Sequence, residues 1–99
     1  MIIRIVKMKF QKERINDFIS FSSEIESIIK EHEGCLYLEI LQDANDKQIF
    51  FTCSHWESEE NLNKYRKSDF FKNVWPKAKQ WFTDKPEAWS LIKTKNKNE

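Results

Sequence analysis

Apolar and polar positions begin by alternating in this chain and then change period. Residues 2–10 set Ile3, Ile5 and Phe10 beside Ile2, Val6 and Met8, with Arg4, Lys7 and Lys9 interrupting. That spacing predicts a strand with one face well buried. From about residue 13 the repeat is helical. Ile15, Phe18, Ile19, Ser22, Ile25 and Ile29 recur at i, i+3, i+4, i+7, and Phe21 and Ile28 widen the stripe. Glu24, Glu26, Lys30 and Glu31 take the wet side. The helix should stop at Glu33-Gly34, where the single glycine suits the left-handed position after a helix end.

Cys35 to Gln42 alternates again, with Leu36, Leu38 and Ile40 on one face and Cys35, Tyr37, Glu39 and Leu41 on the other. Asp43-Ala44-Asn45-Asp46 is a turn by composition. Gln48 to Trp56 is rich in Ile, Phe and Thr, so residues 35–56 form a hairpin. In that register Cys35 and Cys53 are expected near one another across the pair. Ser58 caps a short helix through about Lys67, with Glu59 and Glu60 in its first turn. Ser68 or Asp69 caps another, on which Phe71, Trp75 and Ala78 share a face with Phe82, widened by Val74 and Trp81. Pro76 lacks a backbone donor and is expected to kink this helix or open its second half. Ala88 to Ile92 reads as a last strand.

The order β-α-β-β-α-α-β fits a ferredoxin-like α+β fold, a four-stranded antiparallel sheet with helices on one face. Strand residues of both parities are apolar, so the second face also needs cover. A second subunit is the expected cover, making a homodimer. One domain is expected over residues 1–92, followed by a polar tail over 93–99.

Composition narrows the function. The 99 residues carry 17 Lys and Arg against 16 acids, a net charge of +1, so no strong field exists to hold nucleic acid. No apolar run reaches the ~18 residues of a membrane span, and the first residues lack a signal-peptide core. A cytoplasmic protein with free thiols is the expectation. Eight Phe, four Trp and two Tyr give far more aromatic mass than a chain this size usually holds, so part of it could line a pocket. One glycine excludes a nucleotide-binding fingerprint, and no zinc spacing is present.

The candidates for chemistry are few. His55 shares parity with Ile49, Phe51 and Cys53, so an apolar surrounding is expected; it is either a proton acceptor for a phenolic substrate or a structural group. Tyr65 and Trp75 could look back at the sheet and orient a flat, polar-edged ligand, or could be core aromatics. His32 is read as a helix-end residue. Cys35 and Cys53 have no visible activator and are read as buried thiols.

Four stretches then carry a resemblance: Glu33-Gly34-Cys35-Leu36, Ser54-His55-Trp56-Glu57-Ser58, Glu60-Asn61-Leu62, and Ser68-Asp69-Phe70-Phe71-Lys72. From Met1 to about Ile92 the chain resembles the antibiotic biosynthesis monooxygenase family of dimeric α+β-barrel proteins. The resemblance implies two such sheets packed into a barrel. It also implies an oxygenase with no metal, flavin or other cofactor, acting with dioxygen on a small aromatic, phenolic or quinol substrate. His55 or Tyr65 would then accept a proton or stabilise the anion, with Phe71, Trp75 and Trp81 as pocket walls. Many members have a histidine where this chain has Tyr65. The heme-degrading branch has an asparagine, a tryptophan and an iron-ligating histidine where Val6, Tyr65 and Trp75 stand, so heme chemistry is disfavoured. The other reading is a non-catalytic dimeric protein of the same fold that binds a small ligand.

Overall fold

The computed structural model describes residues 1–94, so the expected polar tail lies, from residue 95 on, outside the described residues. The sheet consists of β1 (Ile2–Lys9), β2 (Cys35–Gln42), β3 (Ile49–Trp56) and β4 (Glu87–Leu91), in the order β2-β3-β1-β4. All three pairings are antiparallel. A 3-10 turn (Lys12–Arg14) leads into α1 (Ile15–Lys30), and α2 (Glu59–Arg66) and α3 (Asp69–Lys79) follow β3. The expected α+β, ferredoxin-like order is therefore present.

Local chemistry explains most boundaries. Gly34 sits at φ +83°, the left-handed backbone that lets the chain turn from α1 into β2. A side chain there would also clash with Asn61 of α2, whose Cβ and Cγ occupy the space a Cβ at this position would need. Ser58 Oγ accepts from the Asn61 N–H at 3.1 Å, and Ser68 Oγ accepts from the Phe71 N–H at 3.1 Å. Both helices thus begin on a side-chain cap. Pro76 does not end α3, which runs on to Lys79 and closes with the Gln80 N–H donating to the Pro76 carbonyl at 3.3 Å.

Register decides which face each strand residue occupies. Directly paired residues share a face, so Arg4, Ser54 and Ser90 lie together, as do Val6, Thr52 and Ala88, and Met8 with Phe50. This face carries the helices. Ile3, His55 and Leu91 share the opposite face with Ile5, Cys53 and Trp89.

Three expectations about facing fail. A bulge between Cys35 and Tyr37 breaks the alternation of β2, so Cys35 pairs with Trp56 and packs with the helix-side core, while Leu36 is exposed. Cys53 pairs with Glu39, so the two cysteines are not partners across the hairpin, and both are free thiols. Ile19 and Ile28 are exposed, because α1 commits only a narrow stripe, Phe18, Phe21 and Ile29, to full burial.

Two clusters build the interior. In one, Phe10, wholly buried, stacks on Phe18 with centroids 4.1 Å apart and meets Phe50 edge-on at 5.7 Å. In the other, Trp56, also wholly buried, packs with Ile29, Leu38 and Leu62. Its indole N–H donates to Ser54 Oγ at 2.9 Å, so each satisfies the other's polar atom in the core.

Candidate functional site

A cavity of about 200 Å³ lies between the helix-covered face of the sheet and the helices. Val6, Met8, Leu38 and Ile40 form its floor. Phe18, Phe21 and Ile25 of α1 close one side, and Tyr65, Phe71 and Trp75 of α2 and α3 close the other. The late helices are there because their caps start them at Ser58 and Ser68, which turns these rings back over the sheet. Tyr65 is held by stacking on Trp56, centroids 5.0 Å apart, and by an edge contact with Phe71 at 5.2 Å. Phe71 lies parallel to Trp75 at 5.8 Å.

Tyr65, Phe71 and Trp75, expected from the sequence as site residues, therefore meet in one place. Trp81 does not line the cavity; it packs edge-on against Phe21 at 5.6 Å, behind the wall. His55 is separated from it altogether. It lies on the uncovered face, its ring 4.9 Å from that of Tyr37 and its Nε2 4.0 Å from Cys53 Sγ. The expected apolar surrounding of His55 belongs to that face, beside Tyr37 and Cys53. His32 stays at the end of α1, its Nδ1 3.0 Å from the Ile28 carbonyl, and its ring touches those of Tyr65 and Phe70. Because a carbonyl only accepts, Nδ1 carries the proton.

Electrostatics assign these groups their possible tasks. Burial, and then the neighbouring Cys35, push the Tyr65 phenol far above its ordinary value, so it is neutral and a hydrogen-bond donor. Burial also raises both cysteine thiols, so neither is activated as a thiolate. No cluster of three or more His, Cys, Asp or Glu side chains that could hold a metal ion occurs among the described residues.

Two cavity residues went unnoticed in the sequence reading. Arg4 of β1 and Arg66 at the end of α2 both line the cavity. Arg4 Nη1 donates to Ser90 Oγ at 2.9 Å, across the β1–β4 pair. Burial, followed by repulsion from Arg66, pulls the Arg4 guanidinium below its ordinary value. A signal for Arg4 was available, since it shares parity with the inward Val6 and Met8. Nothing local linked it to Arg66, which is 62 positions away by number.

Comparison with known proteins places this geometry. A profile described as antibiotic biosynthesis monooxygenase matches residues 1–76. No curated protein matches the sequence. Among solved structures, one described as an antibiotic biosynthesis monooxygenase superposes with a TM-score of 0.90 at 15% identity, covering 96% of this chain and 100% of its own. A conserved protein from Methanosarcina mazei Go1 gives 0.88 at 22% identity, covering 95% and 94%. Rv0793 from Mycobacterium tuberculosis gives 0.87 at 11% identity, covering 97% of each chain. At these identities the structural likeness establishes the fold. No described helix is long and apolar enough to cross a membrane.

Proposed function

The chain belongs to the antibiotic biosynthesis monooxygenase family, and from that premise we propose that it is a cofactor-independent monooxygenase for a small phenolic or quinol substrate held in the cavity. The observation that carries the reading is the cavity itself: apolar, aromatic-walled and about 200 Å³ in volume. An engineered apolar cavity of roughly 150 Å³ takes up benzene, so this one suits a single substituted ring. Trp75, where the resemblance places the histidine of the heme-degrading branch, offers an indole that cannot ligate iron.

The walls define what the protein would contribute. In this chemistry the ionised substrate passes an electron to dioxygen. One ring C–H of the quinol then becomes C–OH on a ring oxidised to the quinone level: one oxygen atom is retained, and the other leaves as water with two of the quinol's hydrogens. The substrate supplies every electron. Neither an imidazole nor a carboxylate lines the cavity among the described residues, so substrate ionisation would fall to water. Tyr65 would donate a hydrogen bond to the substrate oxyanion and favour it over the neutral phenol. The apolar walls would fix the ring and keep water from the reacting carbon.

The lack of a base on the cavity wall also supports a second reading, a small-ligand-binding protein without turnover. Oxygen uptake by metal-free protein with monocyclic hydroquinones separates the two. The enzyme reading expects uptake that rises with pH as the substrate ionises and falls in Tyr65→Phe. Binding without uptake favours the second reading, and neither binding nor uptake removes both. We also propose a cytoplasmic location and, from the apolar residues of the uncovered face, where Tyr37, Leu41, Trp89 and Leu91 are each more than 40% exposed, a homodimer.

A further inference from the structure

We propose that the ligand is anionic: a one-ring apolar body bearing a carboxylate or phosphate group, which seats between Arg4 and Arg66 while the ring occupies the cavity. This deepens the reading of the cavity as a ligand site and rests on it. Arg4 and Arg66 stand on different elements, β1 and α2, yet line the same cavity. Neither belongs to an ion pair among the described residues, and no carboxylate lines the cavity beside them. In a chain with 16 acidic and 17 basic side chains, acids are not scarce; they are simply not placed here.

The arrangement is unfavourable without a counter-charge. Two guanidiniums face one apolar space, and Arg4 is partly desolvated with the Ser90 hydroxyl as its described side-chain partner. An anion entering between them relieves the repulsion and accepts the fork of N–H donors that planar guanidinium groups present. The bond to Ser90 fixes the Arg4 head, so little side-chain freedom is lost on binding. Arg66 is exposed at the end of α2 and can close over the anion from the solvent side.

Calorimetry with three probes tests this: 4-hydroxybenzoate, its neutral isostere 4-hydroxybenzamide, and phenyl phosphate. The expected result is that at least one charged probe binds the parent protein about tenfold more tightly than the amide. The ratio between the two charged probes then tells carboxylate from phosphate. Arg66→Gln, at an exposed position, should reduce the charged-probe advantage over the amide severalfold, and Arg4→Gln should do the same. Equal binding of amide and charged probes overturns the anion proposal and leaves the ring cavity standing. An advantage that persists in both variants also overturns it. If no probe binds at millimolar concentration, the cavity reading falls and this proposal falls with it.

Discussion

Tyr65 lies almost flat on Trp56, with ring centroids 5.0 Å apart and planes 25° from parallel. The indole beneath is wholly buried, so the phenol is both a wall of the cavity and a lid on the core. Its two parts should separate by mutation. Tyr65→Ala removes the stacked ring and should cost about 3–5 kcal/mol in urea unfolding. Tyr65→Phe keeps the ring and should change stability by under about 1 kcal/mol. It should still weaken binding of a phenolate ligand, whereas His55→Ala, on the other face of the sheet, should leave that binding unchanged.

The raised ionisation of Tyr65 predicts a loss of stability in alkali. Its folded-state value lies above the value of about 10 for an unfolded tyrosine, so the native state prefers the neutral phenol. That contribution is fully present below about pH 10 and is lost as the pH rises through the folded-state value. Urea midpoints measured at pH 9 and above pH 10 should fall further for the parent than for Tyr65→Phe. Tyr37 is also raised, by its hydrogen bond to Glu39, but it is present in both proteins and cancels. Equal falls would contradict the assignment to Tyr65.

Gly34 should tolerate no side chain. Its φ of +83° costs an L-residue about 1 kcal/mol, and the added Cβ must also displace Asn61, which holds Ser58 and Glu33. Gly34→Ala is expected to lower stability by about 2–3 kcal/mol. Adding Asn61→Gly, which removes both the Cβ and the amide that obstruct the new side chain, should recover part of that loss in a double-mutant cycle.

The proposed dimer is testable on the uncovered face. Leu41 of β2 is 43% exposed there, opposite Phe51 of β3. Leu41→Arg should shift sedimentation-equilibrium mass from dimer toward monomer, with the far-ultraviolet circular dichroism unchanged. A parent protein that sediments as a monomer at micromolar concentration would remove the dimer proposal.

Much of the fold was legible because its signals are local. The helical stripe of α1, the glycine after it, and the serines at 58 and 68 each act within a few residues, and the element boundaries fall within one to three positions of where the pattern puts them. Cys35 shows where local reading breaks. Alternation assigns it to the face of Tyr37, but one extra residue in the bulge reverses its direction. No periodicity in the sequence announces such an insertion. The site was half legible for a similar reason: Phe71 and Trp75 share a helix face by spacing, but Arg4 and Arg66 meet only through folding.

The sequence by itself determined the order of elements, the caps that begin α2 and α3, and which residues of each unbulged strand stand together. These follow from backbone preference and side-chain spacing, which act along the chain. Only the tertiary structure decided which face of the sheet the helices cover. That choice separates His55 from the cavity, leaves Trp81 behind its wall, and brings two arginines to its lining. Parity tells which side chains are neighbours on a strand, but burial is settled by where the helices dock, and docking depends on contacts between residues far apart in the chain.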